Sequence, residues 1–485
     1  MSKSLAKNAV FNLFYKSLSI VFPLITITYA SRVLLAHGIG QVSYAQSIVA
    51  YFGIFASLGI PNYGIREIAK VSNQKQLNLT FTSLFLINAL FTTICIVAYY
   101  SIIYYFDSFS NEFDLFAVVG LYLVLNYFNV DWFYQGKEEY GYIAVRSLVV
   151  KVLFTILLFV FIKEPKDYVK YALLYYFAIA GNNLFNFFHL RNYLHFDFSD
   201  IKISQHIKPI FIFFSATIAV ELYQQMDVTL LGVFTEKSNV GYYFNSVRLM
   251  RVVANSLIAI GAVLLPRISK YFMENRTDEI STLSTKLFNL LLFISFPFAI
   301  GTFVLADYLV FIAFGDDFIP AIPTLRILSI LIFILAIIGG LTTPILLSTN
   351  KEKKYFYVSI GAAVINFVLN LFLIPSFSHN GSAIASVITQ LFIVVFQLFF
   401  MKDYLRLNEI KLVKIIGNGI VMGLSIWWID AIINLPYIWK FIVDIIMGVS
   451  VYLLLAVIQK DDSFLFLLNK SCYLIQKCDV FKNRL

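Results

Sequence analysis

The sequence predicts an all-α integral membrane protein with about fourteen transmembrane helices. Of its 485 residues, 60% are hydrophobic and only 13% are charged, and the mean hydropathy is +0.80. Soluble globular chains are about 45–50% apolar and about 25% charged. Apolar segments long enough to cross a bilayer also follow one another along the whole chain, separated by short polar loops. Lys and Arg are concentrated in alternate loops, which is typical of a multi-pass topology.

The apolar segments predict where the chain crosses the membrane. A span requires about 20 mostly apolar residues. The segments that meet this requirement are 9–35, 41–65, 79–106, 113–135, 140–163, 168–190, 209–234, 239–265, 284–306, 319–349, 355–375, 381–401, 412–431 and 438–458. Most of the 37 Lys and Arg residues lie in alternate loops, which predicts that both ends of the chain are cytoplasmic. Twelve spans would also leave both ends on one side, so this asymmetry does not by itself establish fourteen.

Composition and loop length argue against several other classes of protein. The net charge of +9 could indicate a nucleic-acid partner in a soluble protein, but here the basic residues follow the loops, so no nucleic acid is expected. Cys95, Cys472 and Cys478 have neither disulfide-framework nor metal-ligand spacing, and the acidic loop at 315–318 lacks a third ligand. The chain has no P-loop, nucleophile elbow or zinc motif. We therefore expect no enzyme activity, no catalytic residues and no metal site.

Two pairs of stretches suggest an internal repeat. The stretch "HGIGQVSYAQSIVAYF" at 37–52 corresponds to "EKSNVGYYFNSVRLMR" at 236–251, and "REIAK" at 66–70 corresponds to "PRISK" at 266–270. A shift of six spans preserves the orientation of each half. The repeat therefore predicts two parallel lobes of six helices plus two extra helices, an arrangement that is typical of transporters.

The repeat predicts how the chain is organised. The predicted regions are an N-lobe at 1–190, a cytoplasmic linker at 191–208, a C-lobe at 209–401, two further spans within 402–458 and a tail at 459–485. The first apolar segment has no convincing cleavage site, so we interpret it as a retained span. The tail mixes apolar and basic residues, which predicts an interfacial helix. Proline is expected to kink three spans, at Pro23, Pro297 and Pro344.

Two arginines lie deep in the eighth predicted span. Arg248 and Arg251 are one helical turn apart and therefore share a face. A central arginine costs about 2.5–3.5 kcal/mol on translocon scales, so this face must meet water or partner groups. Glu221 lies as far before residue 236 as Arg251 lies after it, and Asp227 is similarly placed for Arg248. Internal pairing with these carboxylates and a partly hydrated cationic site are both open interpretations.

Other polar residues within spans are candidates for substrate contact. Lys151 lies near the centre of the fifth span and adds a third cation. A cavity holding these cations would suit an anionic headgroup, because a guanidinium matches the geometry of a phosphate. Asn182, Asn186 and His189 share one face of the sixth span, where contacts with other helices and contacts with a sugar are both open. Charges nearer the ends of spans are explained by snorkelling to the interface; they are Arg32, Asp131, Arg146 and Arg326.

The sequence also resembles a known family. The stretch "GIGQVSYAQSIVAYFGIFASLGIPNYGIREIAK" at 38–70, above all its end "GIPNYGIREIAK", is similar to Wzx-type O-antigen and capsule flippases. These are polysaccharide transporters of the MOP superfamily, and "NVGYYFNSVRLMR" at 239–251 also fits their pattern. The likeness in span number and loop length covers about 1–458. It implies two six-helix lobes around a central cavity, with two peripheral helices.

The resemblance also implies a function. Its members move a short oligosaccharide on undecaprenyl pyrophosphate from the cytoplasmic to the outer leaflet of the bacterial inner membrane, by alternating access. It implies no cofactor beyond coupling to protons or sodium, and as partners membrane lipids, a polysaccharide polymerase and chain-length machinery. The alternatives are a lipid II flippase, a multidrug exporter and, less favoured, a membrane polysaccharide polymerase.

Depth and charge select the candidate site residues. The expected substrate contacts are Arg248, Arg251, Lys151, Asn182 and Asn186. Glu221 and Asp227 are expected to take part in charge pairing or ion coupling.

Overall fold

A computed structural model describes residues 5–262 and 265–465, and within those ranges the chain forms helices and no strands. The helices are α1 (Leu5–Ser57), α2 (Ile60–Lys70), α3 (Gln74–Tyr105), α4 (Phe113–Asn126), α5 (Asp131–Gly136), α6 (Tyr140–Phe161), α7 (Tyr168–Leu190), α8 (Ile203–Phe234), α9 (Lys237–Ala262), α10 (Leu265–Met273), α11 (Thr277–Val304), α12 (Ala306–Phe314), α13 (Ile322–Ser329), α14 (Leu331–Ile337), α15 (Thr343–Ser348), α16 (Glu352–Phe400), α17 (Leu412–Ile432) and α18 (Tyr437–Ile458). Most of the tail predicted to be interfacial lies outside these ranges.

Within the described residues, nine helical stretches are long and apolar enough to cross a membrane. Two of them, Leu24–Lys70 and Glu352–Phe400, contain 47 and 49 residues. At about 1.5 Å per residue each is about 70 Å long, more than twice the roughly 30 Å of a hydrocarbon core. Each therefore has the length of two spans, as the predicted segments at 41–65 and 381–401 require. The total of fourteen spans stays a prediction.

Breaks in these long helices occur at residues that are not proline. Leu35 interrupts α1 with φ 60° and ψ 178°, and Ser378 interrupts α16 with φ 49° and ψ −130°. Both are left-handed backbone conformations, which an L-residue adopts only at a cost of about 1–3 kcal/mol. Leu35 lies at the predicted end of the first span, and Ser378 lies three residues after the predicted end of the eleventh span. Neither break is at one of the prolines where kinks are predicted.

The predicted span at 319–349 is not one continuous helix. It is divided into α13, α14 and α15, with a π-helical turn at 338–342 between α14 and α15. Gly339 and Gly340 lie in this turn and Pro344 follows it. Glycine and proline both weaken a regular helix, which explains why the irregular turn occurs here.

The chain divides into two compact units. Unit 1 comprises Met1–Asn245, Ala313–Phe318 and Phe367–Ser382, and unit 2 comprises Ser246–Ile312, Ile319–Asn366 and Ala383–Leu485. The lobe boundaries at residues 190 and 209 stay a prediction.

At one end of unit 1, a cluster of aromatic and aliphatic side chains packs around α2 and α5. We call it the aromatic cluster; its rings include Tyr63, Phe81, Trp132, Phe133, Tyr134 and Phe214. Phe81 stacks on Trp132 with ring centroids 5.4 Å apart. The stretch "GIPNYGIREIAK" forms α2, where Gly64 leaves room for the Trp132 ring. This stretch, which carries the family resemblance, thus packs α2 against Trp132.

At the other end of unit 1, α1 and α9 cross at their backbones. A Cβ on Gly40 would lie 1.7 Å from the carbonyl oxygen of Lys237, and a Cβ on Gly241 would lie 2.1 Å from that of Ala36. We call these four residues the glycine crossing. The Ala36 N–H, next to the break at Leu35, donates a 2.6 Å hydrogen bond to Oδ2 of Asp317. The two stretches that the repeat paired in sequence therefore pack directly on each other.

In unit 2, small residues also allow helices to pack closely. A Cβ on Gly261 of α9 would lie 1.8 Å from the carbonyl oxygen of Gly340 in the π-helical turn. Gly419 of α17 faces the ring of Phe296 in α11, and Gly448 of α18 faces Ile426. Such small residues favour association of membrane helices. The "PRISK" stretch lies within α10.

Candidate functional site

A buried carboxylate lies in the middle of unit 1. Asp227 on α8 is 8% exposed, and each of its oxygens accepts a hydrogen bond. Tyr243 Oη on α9 donates to Oδ2 at 2.6 Å, and Asn370 Nδ2 on α16 donates to Oδ1 at 2.7 Å. Ser382 Oγ donates in turn to Oδ1 of Asn370 at 3.0 Å. We call these four residues the Asp227 network; bonds of this kind offset part of the cost of burying a charge.

Further polar side chains connect α1 with α8 and α9 in unit 1. Asn245 Nδ2 on α9 donates to Ser31 Oγ on α1 at 2.7 Å, and both residues are buried. Thr229 Oγ1 on α8 donates to Ser47 Oγ on α1 at 2.9 Å. Both α8 and α9 therefore contact α1 through polar pairs. Helix α9 also contacts α1 at the glycine crossing.

A second buried charge corrects the sequence interpretation. Arg146 was assigned to snorkelling, but it is only 8% exposed. Its Nη1 donates to Asp131 Oδ1 at 3.0 Å and also to Asn186 Oδ1. Asn186 Nδ2 donates to the same Asp131 oxygen, and the side chain of Asn186 is fully buried. Burying the Arg146 guanidinium without a counter-charge would strongly destabilise the fold, and Asp131 supplies that counter-charge.

The other predicted residues of unit 1 lie apart from this ion pair. Asn182 is half-buried and donates from Nδ2 to the Ala178 carbonyl of its own helix at 3.1 Å. Lys151 is half-buried on α6, and Glu221 is exposed on α8. Asn182 and Asn186, which share a face of α7, thus make different contacts: one within its helix and one with a charged pair. Their assignment to substrate contact stays a prediction.

The two arginines of the eighth span belong to unit 2. Arg248 is half-buried and Arg251 is exposed, one turn apart on α9. Tyr243, which binds Asp227, lies on the same helix five residues before Arg248. Among the described residues, no three His, Cys, Asp or Glu side chains are grouped so that they could hold a metal ion.

Comparison with known proteins decides the family. Residues 5–272, more than half of the chain, match the family described as polysaccharide biosynthesis protein. The chain belongs to this family. This polysaccharide biosynthesis protein is 24% identical over 411 residues to a candidate O-antigen transporter of Escherichia coli (strain K12), covering 82% of this chain and 97% of the relative. It is 22% identical to a candidate O-antigen transporter of Shigella dysenteriae, covering 78% of this chain and 95% of that one.

Solved structures identify the fold. The polysaccharide biosynthesis protein superposes on the lipid II flippase MurJ in an inward closed conformation with a TM-score of 0.77, at 13% identity, over 93% of this chain and 98% of MurJ. A multidrug-resistance MATE transporter of the MOP superfamily gives a TM-score of 0.64 at 12% identity, over 81% of this chain and 98% of the transporter. The predicted class, an all-α multi-pass membrane protein with an MOP-like fold, is confirmed.

Sequence reasoning missed several residues of these networks. Tyr243, Asn370 and Ser382 carry no charge, and Asn370 lies 143 residues from Asp227, so no local pattern joins them. The Arg146 pair offered a signal. Arg146 and Asp131 are opposite charges near the ends of consecutive predicted spans, a pattern that favours an ion pair.

Proposed function

We propose that the protein is a flippase for lipid-linked oligosaccharides. It moves undecaprenyl-pyrophosphate-linked repeat units of O-antigen or capsule from the cytoplasmic to the outer leaflet of the bacterial inner membrane, by alternating access, with both termini in the cytoplasm. The family assignment, the names of the two bacterial relatives and the fold shared with a lipid II flippase all support this. The proposed partners are the lipid-linked substrate, membrane lipids, a polymerase and chain-length machinery.

The observation that carries the proposal is that charge is exposed on α8 and α9, two helices of 32 and 26 residues that are long enough to cross a membrane. Glu221 in unit 1 and Arg251 in unit 2 are both exposed. In hydrocarbon each would cost about 2.5–3.5 kcal/mol, so their exposed surfaces must contact water. Water within a transporter fold provides a polar route, and a glycan requires such a route, whereas its lipid stays in the bilayer.

Within this proposal the deep cations bind the pyrophosphate. Arg248 and Arg251 share a face of α9, and a guanidinium donates two parallel bonds to phosphate oxygens. Lys151 supplies a further positive charge, and Asn182 supplies a polar contact. Asn186 acts through Arg146, whose position it fixes.

Asp227 is the proposed coupling residue. Binding of a proton or a sodium ion to its carboxylate would weaken the bonds from Tyr243 and Asn370, because both donors bind most strongly to the ionised form. Tyr243 lies on α9, as Arg248 and Arg251 do. Glu221 is a second acid available for this role.

Deletion of the gene tests the function as a whole. Lipid-linked repeat units should accumulate on the cytoplasmic face, and the plasmid-borne wild-type gene should clear them. Surface polysaccharide that is unchanged after deletion would refute the flippase proposal. Accumulation of lipid II instead, with normal O-antigen or capsule, would favour the lipid II flippase. Loss of drug resistance alone would favour the multidrug exporter, and lipid-linked units that reach the outer face without being polymerised would favour the polymerase.

Complementation with variants tests the site. Arg248→Ala and Arg251→Ala should each reduce surface polysaccharide at least tenfold while the protein still inserts in the membrane. Lys353→Ala is the matched control, since it removes an exposed positive charge elsewhere in unit 2 and should complement fully. Normal polysaccharide in both arginine variants would exclude them as essential ligands without affecting the flippase proposal. Strong recovery when Arg251→Glu is combined with Glu221→Arg would instead show an internal pair.

A further inference from the structure

A pocket lies between α6 and α7 in unit 1, away from the Asp227 network. Its volume is about 360 Å³, and it is lined by Tyr142, Arg146, Phe185, Phe188, His189 and Arg191. This volume falls within the range of about 300–1,000 Å³ that is usual for small-molecule sites. With Asn192, the lining combines two cations, two polar rings, one amide and two phenylalanines, which is the composition expected for an amphipathic ligand.

The inner part of the pocket is formed by Arg146, whose guanidinium is held by hydrogen bonds. Arg146 is more than nine-tenths buried, and its Nη1 is fixed by Asp131 and Asn186. Its buried Nε is without a hydrogen-bond partner in the described part of the chain. The guanidinium carbon lies 5.7 Å from the centre of the Tyr142 ring. An ordered, buried arginine loses little entropy when it binds an oxyanion.

The rim of the pocket carries a net positive charge. Asp131 offsets the charge of Arg146, which leaves Arg191 as the uncompensated cation of the lining. Arg191 lies directly after α7, is exposed, and forms no ion pair with any of the residues described. The ring of His189 stacks on Tyr142 with centroids 4.4 Å apart. Nδ1 of His189 lies 3.2 Å from the side-chain nitrogen Nδ2 of Asn192.

The outer wall of the pocket is apolar and exposed. Phe185 is 51% exposed and Phe188 is 67% exposed, both on α7, which the sequence predicts to span the membrane. The adjacent surface of α6 is also apolar, with Val145 and Val149 each about 60% exposed. Such a surface on a spanning helix suits contact with lipid chains, whereas a sugar would leave its hydroxyls without partners there.

We propose that this pocket binds the phosphate headgroup of an anionic membrane phospholipid whose acyl chains lie against Phe185 and Phe188. The phosphate sits between Arg146 and Arg191, at the membrane face predicted to be cytoplasmic. Basic pockets between spanning helices on that side are suited to anionic headgroups. The phospholipid holds the ends of α6 and α7 together. This inference does not depend on the proposed substrate, since it requires only that the chain spans a membrane.

Lipid binding to the purified full-length protein tests this inference. Native mass spectrometry in detergent should show one phosphatidylglycerol retained per chain, with phosphatidylcholine retained at least tenfold less. Arg191→Ala should lower the retention of phosphatidylglycerol at least fivefold. Lys202→Ala is the matched control: it removes an exposed positive charge from the same loop, outside the pocket, and should bind as the wild type does.

Three outcomes would overturn the inference. Equal retention of phosphatidylcholine would show an unselective apolar groove. Wild-type binding by Arg191→Ala would show that the lipid binds elsewhere. Displacement of phosphatidylglycerol by an equimolar amount of undecaprenyl phosphate, with the same dependence on Arg191, would assign the pocket to the lipid of the substrate. Arg191 is exposed and outside the helices, so this variant should fold, which keeps the binding measurement interpretable.

Discussion

The two ends of unit 1 are held together by different kinds of contact. At the glycine crossing, backbone meets backbone, and a Cβ on Gly40 or Gly241 would lie within about 2 Å of a carbonyl oxygen. At the aromatic cluster, rings fill the space, and Gly64 faces the side chain of Trp132. A ring can rotate or shift when a neighbour grows, whereas the backbone of a packed helix moves only with the whole helix. We therefore expect the glycine crossing to be much less tolerant of an added methyl group.

The largest effect is expected for Gly40→Ala. The new Cβ would lie 1.7 Å from the Lys237 carbonyl oxygen, so α1 and α9 must separate. Overpacking usually costs about 1–3 kcal/mol and occasionally more, and we expect a cost at or above the upper limit. The yield of monodisperse protein in detergent and its melting temperature measure the effect.

Gly141→Ala is the matched control for this prediction. A Cβ at Gly141 meets nothing within 4 Å, and alanine favours a helix over glycine by about 1 kcal/mol. The control should therefore melt at or slightly above the wild-type temperature. Equal melting temperatures for Gly40→Ala and Gly141→Ala would show that the crossing is not closely packed.

A smaller effect is expected for Gly64→Ala in the aromatic cluster. Its Cβ would lie 2.5 Å from the Trp132 ring, and that ring can shift at a cost of about 1–2 kcal/mol. Combining Gly64→Ala with Trp132→Phe should restore part of the lost melting temperature, because the smaller ring provides space. If the double variant loses more melting temperature than the two single variants lose together, ring displacement is not the cause.

Tyr63→Phe should have a still smaller effect. It removes the 2.8 Å hydrogen bond between Tyr63 Oη and His206 Nδ1 and leaves the packing of the ring in place. The expected loss is about 0.5–1.5 kcal/mol in the free energy of unfolding, measured by denaturant titration. Tyr104→Phe, at a tyrosine that is 73% exposed, is the control and should change nothing. A loss in the control as large as that in Tyr63→Phe would exclude the hydrogen bond as the cause.

The smallest effect concerns the turn beside the glycine crossing, where the Pro165 carbonyl lies 3.5 Å from a Cβ on Gly38. Asp167 accepts hydrogen bonds from Lys170 and from the Lys163 and Glu164 amides, which hold the pKa of its carboxyl at about 2. Because this pKa is below its ordinary value of 3.8, the stabilisation is complete above pH 3.8 and is lost as the pH falls towards 2.

Asp167→Asn should therefore flatten the fall in stability between about pH 4 and about pH 2. Unfolding midpoints measured across this range provide the test. Asp200→Asn, at an exposed carboxylate, should keep the wild-type slope. An Asp167→Asn curve that is parallel to the wild-type curve would refute the assignment.

The positions of the spans could be predicted because membrane helices are defined by composition over about 20 residues. The predicted segment at 412–431 agrees with α17 to within one residue, and the segment at 140–163 agrees with α6 to within two. The breaks at Leu35 and Ser378 could not be predicted, since neither residue type favours a left-handed backbone. Asp317, which satisfies the amide beside the first break, lies too far away in sequence to be associated with it.

The candidate site shows the same division between local and distant information. The sequence predicts that Asp227 lies within a span, but its partners Tyr243 and Asn370 come from other helices. The snorkelling predicted for Arg146 is wrong, because a residue near the end of a span can still be buried between helices. Its actual environment depends on Asp131 and Asn186, which only the folded arrangement of three helices brings together.

The hydrogen bond at the break in α1 has a consequence for the order of biosynthesis. Ala36 and Asp317 are separated by 281 residues. At about 5–20 residues per second, a ribosome needs about 15–55 s to synthesise the chain between them. During that interval the first two predicted spans are in the bilayer without the Asp317 carboxylate that binds the Ala36 amide beside their break. Factors that protect newly inserted membrane segments can act during this interval. A chain truncated before residue 313 lacks Asp317 and cannot form this hydrogen bond at all.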